Sequence, residues 1–290
     1  MKESFNGLNN SGRFTPRVQR YLRSCALLVL GSWAGAAAPR EVFPPSNEIF
    51  RRLLADPREI QLSAAYYRLE GHHAGDMALG HSWGMARWHP GENRWALQWN
   101  IEAMAYSRFR LSGTVNEFQT IDFFGRLPLE IRWDRYSGKL MLFHESSHLG
   151  DDFIRRTGNT GFRYSIDGLR AIASHEPADF LRLYGGGSYL LHTVPSPDRG
   201  ALQAGFELTS RELGLFADYP TRVYLAQDFQ SQGRLAWNTN SRTVLGLRMG
   251  FKGVLRSMRL HIGYFDGHSP YGQFFNQREH YADVGISFDL

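Results

Sequence analysis

The chain has 290 residues, of which 42% are hydrophobic, 14% aromatic and 21% charged, a composition too apolar and aromatic for a disordered polymer. The formal charge of +5 is concentrated in residues 1–36, where Lys2, Arg13, Arg17, Arg20 and Arg23 face only Glu3, so the nearly neutral body lacks the basic footprint of a nucleic-acid binder. The one long apolar run, Cys25 to Ala38, is too short and too rich in Gly and Ala to span a bilayer comfortably as a helix, which excludes a multi-span helical membrane protein.

In residues 1–36 the basic cluster precedes Cys25-Ala26-Leu27-Leu28-Val29-Leu30, and Ala34-Gly35-Ala36 follows. That order predicts a secretory signal peptide cleaved after Ala36. Cys25 is the only cysteine and leaves with the leader, so disulfides and cysteine-ligated metals are excluded from the exported product. Residues 37–58 begin Pro-rich and then carry Ile49, Phe50, Leu53 and Leu54. They read as an N-terminal periplasmic segment with at most a short amphipathic helix.

From residue 59 to residue 290 the dominant period is two. Trp95, Leu97, Trp99, Ile101 and Ala103 share one face against Gln98, Asn100 and Glu102, and the last segment alternates Ala282, Val284, Ile286 and Phe288 with Asp283 and Ser287. Charged residues on one face and apolar residues on the other suit a wet lumen and a lipid-facing wall. Twelve segments follow this pattern: 59–70, 77–88, 94–108, 119–135, 139–150, 162–175, 179–193, 201–212, 222–231, 242–250, 257–267 and 280–290. Most are long enough for a tilted strand to cross a bilayer. The predicted fold is all-β, a transmembrane antiparallel β-barrel of about 12 strands. Asp122, Arg126, Glu130, Arg132 and Asp134 read as a lumenal ion-pair lattice, Ser137-Gly138 as a hairpin turn, and His72-His73 as an exposed loop. Gly185-Gly186-Gly187-Ser188 lacks the lysine of a phosphate loop and fits a strand in close backbone contact with its neighbour.

The string Phe143-His144-Glu145-Ser146-Ser147-His148-Leu149-Gly150-Asp151-Asp152 carries the chemistry. On a helix, His144-Glu145-x-x-His148 would be a zinc metallopeptidase signature, with His175 or Glu176 as candidate third ligands. On a strand, His144, Ser146 and His148 share a face with Leu140 and Leu142, while Lys139, Glu145, Ser147 and Asp151 take the other. A polar pair on the lipid-facing wall is costly and calls for a function. His144 could take the proton of Ser146 and make it a nucleophile aimed at a lipid ester. Backbone donors near Ser147 and Gly150, or a bound calcium, would stabilise the oxyanion. Asp151 and Asp152 are candidates to hold that calcium or simply to solvate a loop.

The strings Phe50-Arg51-Arg52-Leu53-Leu54-Ala55-Asp56-Pro57-Arg58 and His144-x-Ser146-Ser147-His148-Leu149-Gly150-Asp151 resemble a bacterial family of unknown function regarded as outer-membrane barrels. His144-x-Ser146 is also similar to the catalytic pair of outer-membrane phospholipase A and lipid A deacylase. The second resemblance implies a third residue about a dozen positions beyond the serine, which points to Asn159. Together they imply a Gram-negative outer-membrane protein whose partners are membrane lipids, the barrel-assembly machinery during insertion and, as a candidate, a second copy of the chain. The expected activity is a serine acyl hydrolase on phospholipid or lipopolysaccharide esters at the outer leaflet. The competing reading is a non-enzymatic structural or narrow-channel barrel.

Overall fold

The computed structural model describes residues 41–44, 49–89, 95–112, 115–216, 218–251 and 256–289, so the leader 1–36 lies outside the described residues. A two-residue strand, β1 (Glu41–Val42), pairs with residues 86–87 of a later strand. Twelve long strands follow: β2 (Leu62–Leu69), β3 (His72–Trp88), β4 (Trp95–Ser112), β5 (Val115–Trp133), β6 (Tyr136–Leu149), β7 (Tyr164–Ala178), β8 (Leu181–Val194), β9 (Gly200–Thr209), β10 (Thr221–Gln232), β11 (Thr239–Gly250), β12 (Ser257–His268) and β13 (Arg278–Asp289). Each of the twelve pairs antiparallel with its sequence neighbour, and β13 pairs back onto β2, so the sheet closes on itself. Closure leaves no barrel strand with an unpaired edge, which is what a bilayer requires of a β structure.

The alternation read from the sequence sorts the side chains by medium. Leu79, Trp83, Phe123, Leu127, Leu140, Leu142, Leu245 and Ile262 stand on the outer wall, while Arg108, Arg182, Gln98, Asn100, Glu102 and Glu130 are buried inside. This is a transmembrane barrel of the outer-membrane type, with an apolar exterior and a polar interior. Strand ends depart from the expected segments at two hairpins. The chain turns at Glu70-Gly71, where Gly71 has φ +83°, so His72 and His73 open β3 instead of lying in a loop. It turns again at Asp134-Arg135, and Ser137-Gly138 belong to β6. Asp134, with φ 52°, takes the left-handed position of that turn and is exposed there, whereas Asp122, Arg126 and Glu130 are buried.

The interior is filled from both ends. The first filling is the segment 49–60, which forms no helix, because its amides donate to carboxylates of the wall rather than to carbonyls one turn back. Ile49 N and Phe50 N both donate to Glu130 Oε2 at 3.1 Å, and Leu54 N to Glu207 Oε1 at 2.9 Å. Phe50, Leu53, Ala55 and Ile60 are buried, with Arg182 stacked 4.7 Å over the Phe50 ring. The second filling is the connection 269–277, which contains a 3-10 turn (Gly272–Phe274) and lies at the end that also bears the helix α1 (Asp151–Thr157). Tyr271 stacks on Tyr106, and its hydroxyl donates to Ser107 O at 3.0 Å.

The ion pairs that line the lumen are deeply buried. Arg108, 1% exposed, makes a bidentate pair with Glu279 at 2.6 and 3.0 Å and stacks 4.3 Å over Tyr271. Removing one partner of such a pair strands the other charge, so Arg108→Ala is expected to lower stability by about 3–5 kcal/mol. The urea midpoint of the barrel refolded in lipid vesicles measures this, and Arg108→Met with Glu279→Gln should recover part of the loss.

Candidate active site

On β6 the side chains alternate, with Ser137, Lys139, Met141 and Ser147 buried and Leu140, Leu142, His144 and His148 exposed. His144 and Ser146 therefore share the outer wall with the two leucines, near the helix-bearing end of the barrel. Two residues on one strand are separated by about 6.6 Å of rise, a gap an imidazole can bridge. The adjoining strand supplies what the sequence did not identify. His144 is the register partner of Asp167 on β7, and His144 Nδ1 lies 2.8 Å from Asp167 Oδ1. An ionised carboxylate only accepts, so the bond assigns the proton to Nδ1 and leaves the Nε2 lone pair free for a hydroxyl. Ser165 stands opposite Ser146 in the same register. Ser146 makes no side-chain hydrogen bond among the described residues.

The other expected site residues are distributed differently. Asn159 does not reach His144. It lies in the exposed loop after α1, where its Oδ1 accepts from Gly161 N at 2.9 Å and closes a turn. Gly150 is not a free oxyanion donor, because its amide already donates to Gln119 O at 2.8 Å while it caps α1. A Cβ on Gly150 would sit 2.1 Å from Phe118 O, which explains glycine there. Asp152 accepts from Phe118 N at 3.1 Å and pairs with Arg155, and Asp151 is exposed in the first turn of α1. Both acids favour the positive end of that short helix. His148 packs edge-on against Phe123 on the outer wall. Among the described residues no three His, Cys, Asp or Glu side chains are grouped to hold a metal.

The zinc metallopeptidase geometry fails on the backbone. His144-Glu145-x-x-His148 lies on a strand, so Glu145 points into the lumen, opposite the two histidines. There Arg58 Nη2 sits 2.9 Å from Glu145 Oε1 and 2.9 Å from Asp122 Oδ2. Burial disfavours the Arg58 charge, but those two carboxylates more than offset it and hold its pKa above the ordinary value. Ser147 also points inward, and its Oγ accepts from Gln273 N at 3.0 Å. The wall behind the outward group is thus packed against both lumenal fillings.

A model of the family described as "protein of unknown function (DUF1207)" matches residues 34–290. The chain belongs to this family. No curated protein matches the sequence. Among solved structures, the Salmonella typhi outer membrane phospholipase (OMPLA), a dimer with bound calcium, superposes with a TM-score of 0.56 at 13% identity, covering 81% of this chain and 93% of its own. Outer membrane phospholipase A from Escherichia coli superposes with the same TM-score at 13% identity, covering 83% of this chain and 99% of its own. At that identity the likeness is one of fold, shared by this family member and the phospholipases.

Proposed function

We propose that this family member is an outer-membrane serine acyl hydrolase acting on phospholipid or lipopolysaccharide esters at the outer leaflet. The observation that carries the reading is the 2.8 Å contact between His144 Nδ1 and Asp167 Oδ1 on the outer wall, with Ser146 on the same face. A polar trio facing hydrocarbon is expensive unless it is used. In this reading Ser146 Oγ attacks the ester carbonyl carbon and His144 Nε2 takes its proton. Collapse of the tetrahedral intermediate breaks the bond to the alcohol oxygen, which leaves with the proton held by His144. Water then hydrolyses the acyl-serine by the same relay. Asp167 orients the ring and stabilises its charged form.

The remaining parts of the reading follow from the barrel. The leader 1–36 directs export, the assembly machinery inserts the barrel in the Gram-negative outer membrane, and the helix-bearing end faces outward. The likeness to a calcium-bound phospholipase dimer makes calcium and a second copy of the chain variables worth controlling. The test is acyl release from mixed micelles of phospholipid and lipopolysaccharide by the refolded protein, with and without calcium, beside Ser146→Ala. Release by the parent and none by the variant is expected. No release by the parent in either condition would favour the second reading, a structural barrel, which draws on the Ser146 hydroxyl having no hydrogen-bond partner among the described residues. The two segments that enter the lumen, 49–60 and 269–277, argue against a channel.

A further inference from the structure

The segment Asp56-Pro57-Arg58 inside the lumen touches both strands that carry the outward group. Arg58 holds Glu145, the residue between His144 and Ser146 on β6. Asp56 Oδ2 accepts from Arg170 at 2.8 Å, and Arg170 lies on β7 three residues beyond Asp167. Arg58 is itself immobilised: it stacks 4.4 Å over Phe124, its amide donates to Asp56 Oδ1 at 2.9 Å, and its carbonyl accepts from Arg126 at 2.8 Å. The outer connection completes the backing. Gly272 N donates to Asp122 Oδ2 at 3.0 Å, and a Cβ on Gly272 would lie 2.5 Å from Ser147 Cβ.

We infer that Arg58 is a positioning residue, acting through the barrel wall to fix the backbone of β6 at the register that brings His144, Ser146 and Asp167 together. The inference rests on the acyl-hydrolase reading and goes beyond it: activity at the outer surface depends on a lumenal segment contributed by the N-terminal part of the chain. The physical reason is alternation. A strand in a fluid bilayer has no solid support on its lipid side, so beyond the ladders to β5 and β7 the side chains that brace residues 144–147 from inside the barrel are Glu145 and Ser147. A displacement of about 1 Å at reacting groups is enough to cost roughly 100-fold.

The test compares Arg58→Ala, Arg58→Lys and Arg182→Ala in the full-length refolded protein. Arg182 secures the lumenal segment near Phe50, beside the opposite end of β6 from residues 144–147. Arg58→Ala is expected to lower kcat by roughly 10- to 100-fold with KM within about twofold, because the lipid-facing surface is untouched. Arg58→Lys should restore most of kcat, since one ammonium can meet both carboxylates. Hydrogen exchange of the amides at 142–148 and 164–168 should speed up in Arg58→Ala and not in Arg182→Ala. A folded Arg58→Ala with unchanged kcat and exchange would overturn the inference, as would equal effects of Arg182→Ala. If the parent releases no acyl chain, the hydrolase reading fails, and the exchange pattern alone still decides whether Arg58 clamps β6.

Discussion

Ser146→Ala and His144→Ala are each expected to lower the rate of acyl release by about 1000-fold or more, because either change removes the nucleophile or its base. Asp167→Ala should cost roughly tenfold less, since the ring remains but loses its orienting carboxylate. All three positions are on the outer wall, with the His144 and Asp167 side chains about half exposed, so none of the substitutions opens a cavity inside the barrel. Folding should be retained, which a heat-dependent shift in gel mobility checks. Asn159→Ala serves as the contrast. Its side chain only closes a loop turn, and initial rates on mixed micelles should match the parent. An unchanged rate in Ser146→Ala would assign the release to another group.

The second large effect concerns the lumen. A twelve-stranded barrel is wide enough for either packed side chains or a narrow column of water. Here residues 49–60 and 269–277 enter it and leave a polar cavity of about 140 Å³ beside Asp56, Arg58 and Asp228. The parent in a planar bilayer is expected to show almost no conductance. Replacing residues 49–60 by a Gly-Ser linker of equal length should raise single-molecule conductance by roughly tenfold or more, because Phe50, Leu53 and Ile60 no longer occupy the interior. A second variant keeps the segment itself: Glu130→Ala with Glu207→Ala removes the two wall carboxylates that accept from its backbone amides at Ile49, Phe50 and Leu54. A conducting parent would contradict the account.

Acidification tests the same seal. Burial alone would raise the Asp56 carboxyl, but Arg170 and the hydrogen bonds from Arg170, the Arg58 amide and Gln203 hold it below its ordinary range. A depressed carboxylate contributes its full stability above the unfolded value of about 3.9 and loses it as the pH falls through the folded value. On the Asp56 contribution alone, conductance should therefore stay low from neutrality down to about pH 4 and rise only below it. Opening at pH 6 would show that Asp56 does not control the seal.

The barrel was legible in the sequence because its physics is local. Each strand has to alternate between water and lipid, so residues such as Leu140, Leu142, Lys139 and Ser147 declare their faces before any strand pairing is known. Turns were less legible. Gly138 suggests a hairpin turn, yet it lies within β6, where a Cβ would meet the Ile131 side chain at 3.3 Å, and the chain turns at Asp134-Arg135 instead. The lumenal path of 49–60 was hidden because the segment has no period of its own, and its partners Glu130, Glu145 and Glu207 lie some 80 to 150 positions away in sequence.

The candidate site divides in the same way. His144 and Ser146 could be found because they stand two apart on one strand. Asp167 could not be found by counting from the serine, since its position depends on the register of β6 against β7. One signal was present: Ser165 and Asp167 alternate with buried Tyr164 and Ile166, which puts two polar residues on a lipid-facing wall. Paired with the same inversion at His144 and Ser146, that pattern marks two adjacent strands whose outer ends break the lipid-facing rule together.

The most direct test of the account is covalent trapping of the nucleophile with a fluorophosphonate bearing a long alkyl chain, which needs no knowledge of the natural lipid. Mass spectrometry of the refolded parent should show a single adduct on Ser146, absent in Ser146→Ala and much slower to form in His144→Ala. An adduct on Ser165, or none on Ser146 under conditions where the barrel is folded, would contradict it.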